Sequence, residues 1–385
     1  MTDFFDSNGV LPDHILRDVI REGYITSDLT IDDSCIQPSS LDLRLGPVCY
    51  RIRSSFLPHK ERVMEGVADL EMYQIDISNG AILEKGNVYL IPLLESLNLP
   101  PNISARTNPK SSTGRLDIFT RVITDYGCRF EDIEPGYKGG LYMEIVPKSF
   151  TIKVKAGQAL NQLRLFTAGS GGDNCVDASK ITDSELLAYY KKDPLLYYDN
   201  GQAVPADKAV MKGGLFMGIG IGSASGDREI VGYKAKKNSA VIDLDNIRHY
   251  DVEEYWEPIM SHPDRHIILE PEEFYIFAST ERVRVPLDMA GEMVEFDAGS
   301  GEVRTHYAGF FDSGFGYGQG GEIKGTKAVL EVRPHDVPFR IEDGQIFCKI
   351  KYERMLQSPS SYYGADIGSH YHKQGLALSK HFKNI

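Results

Sequence analysis

The feature that most constrains this chain is that the order of apolar segments in its first half recurs in its second. SLDLRLG (40–46), ILEKGNVYLIPLLESLNLP (82–100), GGLYMEIVP (139–147) and VKAGQALNQLRLF (154–166) are followed, in the same order and at similar spacing, by LFMGIGIG (215–222), ILEPEEFYIFASTERVRVP (268–286), KAVLEVRP (327–334) and IEDGQIFCKIKYE (341–353). Solenoid repeats have periods of roughly 20–50 residues, so a repeat this long implies two whole domains. Within each copy the segments alternate apolar and polar side chains and are broken by Gly, Pro, Asn and Asp, which reads as strands. Many such strands with few helical stretches suit a β-sandwich or barrel.

This reading expects a first domain over residues 1–168, a linker over 169–212 and a second domain with a terminal tail over 213–385. LPDHILRDVIREGYI places Ile15, Val19 and Ile20 at helical spacing, and ITDSELLAYYKKD reads as a short helix inside the linker.

Charge narrows the partners. Lys plus Arg number 42 against 55 Asp plus Glu, a formal net charge of -13. Such a surface repels duplex nucleic acid and anionic membranes, leaving a small molecule as the expected partner; a phosphorylated one needs a local cationic pocket. Cys35, Cys49, Cys128, Cys175 and Cys348 are scattered without a CxxC pair, which points away from a disulfide framework or a structural zinc and towards a reducing, cytoplasmic setting. The acidic, amphipathic start does not read as a signal peptide, and no apolar run is long enough to span a membrane.

Four stretches can carry chemistry. Asn108-Pro109-Lys110-Ser111-Ser112-Thr113-Gly114-Arg115 sets hydroxyls, a glycine and two cations close together. Hydroxyls and backbone N–H groups cradle phosphate oxygens, and Lys110 and Arg115 add charge and forked donors; taken alone, the stretch also suits an ordinary polar turn. Asp132 to Glu144 is a turn leading into a strand that is apolar except for Glu144. A carboxylate facing a pocket from such a strand would have a raised pKa and could act as a general base; the alternative is a solvent-facing Glu. His306 to Gly316, then Lys327 to Val332, repeats that plan with Ala308, Asp312 and Glu331. The tail SSYYGADIGSHYHKQGLALSKHF (360–382) offers Tyr371, Gln374 and Lys380, either as a frayed end or as a lid over a nucleotide.

Together these motifs resemble the deoxycytidine triphosphate (dCTP) deaminases, particularly their two-domain bacterial form, within the dUTPase-like superfamily. The carriers are Gln37-Pro38-Ser39-Ser40-Leu41-Asp42-Leu43-Arg44-Leu45-Gly46, the Pro109–Arg115 phosphate motif, the two hairpins before a glutamate, Lys155 to Leu163, and Tyr371, Gln374, Gly375, Ser379 and Lys380 in the tail. The resemblance covers nearly all the chain except the linker. It implies two tandem dUTPase-like distorted β-barrel or jelly-roll domains with a few short helices, and hydrolytic deamination of dCTP to dUTP and ammonia. It further implies Mg²⁺ with the triphosphate, no zinc, and a homo-oligomer such as a trimer with sites between neighbouring domains. A dUTPase, a deaminase that is also a dUTPase, and an inactive nucleotide-binding regulator remain as alternatives; for a dUTPase, Asp312 or Asp125 would activate water.

The two copies depart from the family pattern in different places. The first keeps the phosphate motif, but its hairpin reads Phe130-Glu131-Asp132-Ile133-Glu134, without the family's alanine and arginine. The second keeps Ala308 and Asp312, but Asp297-Ala298-Gly299-Ser300-Gly301-Glu302 stands where the phosphate motif should be, and its acids repel a triphosphate. The resemblance therefore implies a division of labour. The first domain supplies Lys110, Ser111, Ser112 and Arg115 to the phosphates. The second supplies Ala308, Asp312 and the base Glu331, with Glu144 as the competing base, and Tyr371, Gln374 and Lys380 close the site.

Overall fold

The computed structural model describes residues 7–169, 175–223, 228–294, 309–364 and 375–383, and the backbone of 303–305. Strands make up 42% and helices 12%, which places the chain in the expected mainly-β class. Among the described residues no helix is long and apolar enough to cross a membrane.

Each half builds its strands in the same way. In the first, the strand Ala159–Thr167 pairs antiparallel with both Ile103–Pro109 and Leu41–Arg44. In the second, Ile346–Arg354 pairs with Met289–Val294 and Leu215–Gly220. The glutamate-bearing strands Lys138–Pro147 and Thr326–Pro334 lie against Val88–Asn98 and Tyr275–Val283.

The repeated sequence motifs also form repeated local structure. In ILEKGNVY the backbone N–H of Glu84 donates to the Tyr89 hydroxyl at 2.9 Å, and in ILEPEEFY the N–H of Glu270 donates to the Tyr275 hydroxyl at 2.9 Å. The intervening turns need a left-handed residue, supplied by Gly86 (φ 77°) in one and Glu272 (φ 59°) in the other. The KAGQ and EDGQ turns match likewise: Gln158 and Gln345 accept from the N–H groups of Lys155 and Glu342 at 2.9 and 3.0 Å.

The helix Asp13–Arg21 forms where the apolar spacing places it, burying Ile15, Leu16 and Val19. The helix Asp183–Lys192 starts in a capping box in which Thr182 and Glu185 bond each other's backbone N–H groups. The expected linker needs correction here. Leu186, Tyr190, Leu195, Leu196 and Val204 are buried in the second core, and the strand Leu196–Tyr197 pairs with Tyr275–Val283. This stretch is part of the second unit, because its apolar side chains have a core to enter.

The core of the first unit continues into the second, while the second unit keeps a core of its own. Phe150 of the first inserts among Tyr255 and Trp256 of the second, with ring centroids 6.0 and 5.4 Å away. Phe382, from the end of the chain, packs on Trp256 at 5.9 Å. The strand Ile242–Asp243 of the second unit extends the first unit's sheet, running parallel to Ile152–Val154.

Charges complete the contact. The fully buried Arg164 of the first unit donates to Glu353 of the second at 2.9 Å and lies over the Phe310 ring at 4.0 Å. Arg106 reaches Glu292 at 3.0 Å. Removing one member of such a buried pair strands the other in a low-dielectric interior. Arg164→Met is therefore expected to lower stability by about 3–5 kcal/mol, read from the urea midpoint of the full chain. A midpoint unchanged from wild type would show that the pair does not hold the units together.

Candidate functional site

The phosphate motif forms a one-turn helix, Ser111–Gly114, between the strand Ile103–Pro109 and the strand Ile118–Thr124. Ser111 is exposed, while Ser112 and Arg115 are buried. Lys110 makes an ion pair with Asp42, from the QPSSLDLRLG segment. The end of the chain lies across this motif. Arg115 donates to the carbonyl of Ala377 at 3.1 Å, and Ser379 donates to the carbonyl of Ser112 at 2.8 Å. Lys380 and His381 follow, and their carbonyls accept from the N–H groups of Arg248, His249 and Tyr250.

A cavity of about 350 Å³ opens here, walled by Asp42, Arg44, Lys110, Ser112, Thr113, Leu160, Leu244, Asp245, Lys380 and His381. Its electrostatics are mixed. Burial and the nearby Lys110 push the Lys380 ammonium below its ordinary value, against the pull of Asp42. Burial raises the Asp42 carboxyl, which Lys110 opposes. One Asp42 oxygen, Oδ1, is buried without a hydrogen-bond partner among the described residues. The two ammonium groups are what a polyanion needs in an otherwise acidic protein.

Glu331 is not in the wall of this cavity, but it lies within reach of the same motif. Burial pushes its carboxyl from an ordinary 4.5 up to about 7; the Arg115 guanidinium pulls it down, and the Asp117 carboxylate pushes it up. Glu331 and Arg115 come from different units of one chain. A carboxyl poised near neutrality beside an arginine is suited to proton transfer at physiological pH.

Glu144 occupies the corresponding strand of the first unit in a different environment. It is buried, and Arg121, directly opposite on the strand Ile118–Thr124, donates to it at 2.6 Å. The same guanidinium stacks on Phe130 at 3.6 Å and on Phe119 at 4.7 Å. Glu144 does not face solvent; Arg121 holds one of its oxygens, and the other, Oε2, has no hydrogen-bond partner among the described residues. Nearby, desolvation pushes Glu131 of the first hairpin up to about 7, although Thr107 and Asn161 hydrogen-bond to it.

Of the remaining expected residues, Asp312 is tied to Ser39 and lies 3.7 Å from Arg164, on the contact between the units. Its charge also raises the Asp42 carboxyl, so it stands near the cavity. Asp125 accepts from the N–H of Val63 at 2.9 Å, at the start of the helix Val63–Leu70. Ala308, Tyr371 and Gln374 lie outside the described residues. Lys110, Ser112, Arg115 and Lys380 are thus brought together, Glu331 joins them through Arg115, and Glu144 stays apart. Asp42 lies in the QPSSLDLRLG segment, but it was not among the expected site residues. Asp117 and Arg333, which pair across the units, carry no sequence signal, because they stand 216 positions apart.

The comparisons with known proteins identify the family. Residues 7–169 match the family model described as 2'-deoxycytidine 5'-triphosphate deaminase (DCD) N-terminal domain, and residues 182–382 match its C-terminal domain counterpart. The chain belongs to the dCTP deaminase family. A dCTP deaminase from Agrobacterium tumefaciens, solved as a crystal structure, superposes with a TM-score of 0.81 at 42% identity, over 91% of this chain and 99% of that one. Relatives named "dCTP deaminase, dUMP-forming" include one from Thermobifida fusca, 29% identical over 43% of this chain and 81% of its own length. Another, from Methanosphaera stadtmanae, is 32% identical over 35% of this chain and 67% of its own length. The mainly-β fold that the motifs led us to expect is the fold of this family.

The raised Glu331 carboxyl also makes a prediction for stability. A group whose pKa is higher in the folded than in the unfolded chain binds more protons when folded, so its contribution is present at low pH and lost as pH rises through the folded value. A shift of this size is on the order of 3 kcal/mol. Glu331→Gln is accordingly expected to raise the melting temperature of the ligand-free protein at pH 8, with the gain shrinking towards pH 5. A gain independent of pH would contradict the assignment.

Proposed function

We propose that this protein deaminates dCTP to dUTP and ammonia, with Glu331 as general base. The observation that carries the reading is the carboxyl of one unit, near neutral in pKa, beside the phosphate-motif arginine of the other. In the proposed reaction Lys110, Ser111, Ser112 and Lys380 hold the triphosphate. Ala308 and Asp312 belong to the hairpin that would meet the nucleoside, and Tyr371 and Gln374 to the tail that would cover it. The Glu331 carboxylate takes a proton from water, and the hydroxide adds to C4 of the cytosine ring. The proton passes to the amino nitrogen, the C4–N bond breaks and ammonia leaves, and the proton of the added hydroxyl moves to N3 as the C4 carbonyl forms. The Arg115 charge opposes the rise in the Glu331 carboxyl and so favours the carboxylate that acts as base.

Magnesium would arrive with the triphosphate and shield its charge. Among the described residues no three His, Cys, Asp or Glu side chains cluster, so the fit is to an ion carried mainly by phosphate oxygens and water. The unpartnered Asp42 oxygen beside Lys110 could accept from a water on that ion.

A second reading rests on the names of the relatives, which are dUMP-forming. In that case the product would be dUMP, and pyrophosphate would leave with the ammonia. Asp312 and Asp125, the acids that might activate water for attack on phosphorus, already bond to Ser39 and to the Val63 N–H. The single-reaction reading is therefore the one the geometry favours.

Incubating the full chain with dCTP and Mg²⁺, and measuring ammonia and pyrophosphate separately, distinguishes the two. Ammonia without pyrophosphate is expected; equal amounts of both would support dUMP formation, and tight dCTP binding without either product would point to an inactive regulator. Glu331→Gln is expected to lower kcat by about 10²–10⁴-fold. Glu144→Gln is expected to reduce stability while leaving kcat per folded molecule close to wild type. The reverse pattern would move the base to the first unit.

A further inference from the structure

Two residues beyond Arg115 lies Asp117, and two residues beyond Glu331, on the same strand, lies Arg333. Residues at i and i+2 of a strand share a face, so Glu331 and Arg333 both point towards the phosphate-motif turn. The signs are crossed. Arg115 acts on Glu331, and Asp117 makes a buried ion pair with Arg333. An Arg-x-Asp stretch of the first unit is thus matched against a Glu-x-Arg stretch of the second.

Asp117 is fully buried and sits at φ 55°, in the left-handed region that Asp tolerates better than most residues. Its backbone and side chain are fixed from several sides. Its N–H donates to Gly114 at 2.8 Å, its carbonyl accepts from Lys148 at 2.9 Å, and its carboxylate accepts from the Ser149 hydroxyl at 2.6 Å. Arg333 donates to both Asp117 and Ser149, the latter at 3.1 Å, and its other terminal nitrogen donates to the carbonyl of Glu272. The strand that carries Glu331 is thereby fastened to the turn that carries Arg115, one alternate position away from each.

We propose that Asp117 and Arg333 are positioning residues that set the separation of Arg115 and Glu331 across the two units. The proposal rests on Glu331 as the base. The pair does not touch substrate; it acts through Arg115 and Glu331. A planar guanidinium that holds the Asp117 carboxylate and the Ser149 hydroxyl with one terminal nitrogen and the Glu272 carbonyl with the other fixes orientation as well as distance, and lysine cannot reproduce that fork. The pair also explains why one unit alone would be inactive, since each unit holds only half of both couples.

The test uses the full chain and steady-state dCTP deamination. Asp117→Asn keeps the shape and the Ser149 contact but removes the charge. It is expected to lower kcat by about tenfold to a hundredfold with little change in KM. Removing a negative charge that raises Glu331 should also move the acid limb of the kcat profile to lower pH; Arg115 and Arg333, the cations on the facing turn and on its own strand, pull in the same direction. Arg333→Lys keeps the buried pair charged and the chain folded but loses the fork, and a smaller loss of kcat, about tenfold, is expected. If both variants keep wild-type kcat and the wild-type acid limb while melting at lower temperature, the pair is only structural and the proposal fails. If Glu331→Gln itself keeps full turnover, it is the assignment of the base that fails, and the two failures are told apart.

Discussion

The site depends on the burial of opposite charges where the two units meet. The phosphate motif belongs to one unit and the raised glutamate to the other, so the two come together only when the units are in register. Apolar contact supplies much of the drive: Phe150 of the first unit sits among Tyr255 and Trp256 of the second, and the Phe382 ring at the chain end packs on the same cluster. Apolar contact alone is non-directional. Arg164 with Glu353 and Asp117 with Arg333 supply direction, because a buried charge tolerates only a small error in the placement of its partner.

The same contact accounts for the pairing of unlike copies. The first unit presents Arg106 and Arg164, neighbours across two paired strands, and the second presents Glu292 and Glu353. Two first units placed face to face would oppose arginines, and two second units would oppose glutamates. Like charges brought together in a desolvated contact are strongly unfavourable. Divergence after duplication has thus produced surfaces that favour the unlike pair and penalise the like ones.

The two glutamates show how the same local structure reaches different chemistry. Glu144 and Glu331 occupy equivalent strands and face uncharged Leu90 and Ile276 on the matching neighbours. On its other side Glu144 faces Arg121, whose guanidinium stacks on Phe119 and Phe130 and bonds one carboxylate oxygen. Glu331 is desolvated and feels the charge of Arg115 from the other unit, which leaves its carboxyl near neutrality.

Much of the fold was legible in the sequence, because alternation, turn residues and repeated order are local properties of the chain. The paired turns at Glu84 and Glu270, and at Gln158 and Gln345, follow from residues a few positions apart. The phosphate motif, the tail with Lys380 and the two alternative glutamates were visible for the same reason. The segment after residue 180 was not, since its membership of the second core depends on what Leu186 and Tyr190 pack against. Nor could the sequence rank Glu144 against Glu331. Their flanking residues are similar, and the charges that act on them come from Arg121 of the same unit for Glu144 and from Arg115 of the other unit for Glu331. By itself the sequence determined the strands, their order and the residue types available for chemistry. The tertiary structure alone decided which charges meet, because desolvation and ion pairing depend on distances between residues that the chain holds far apart.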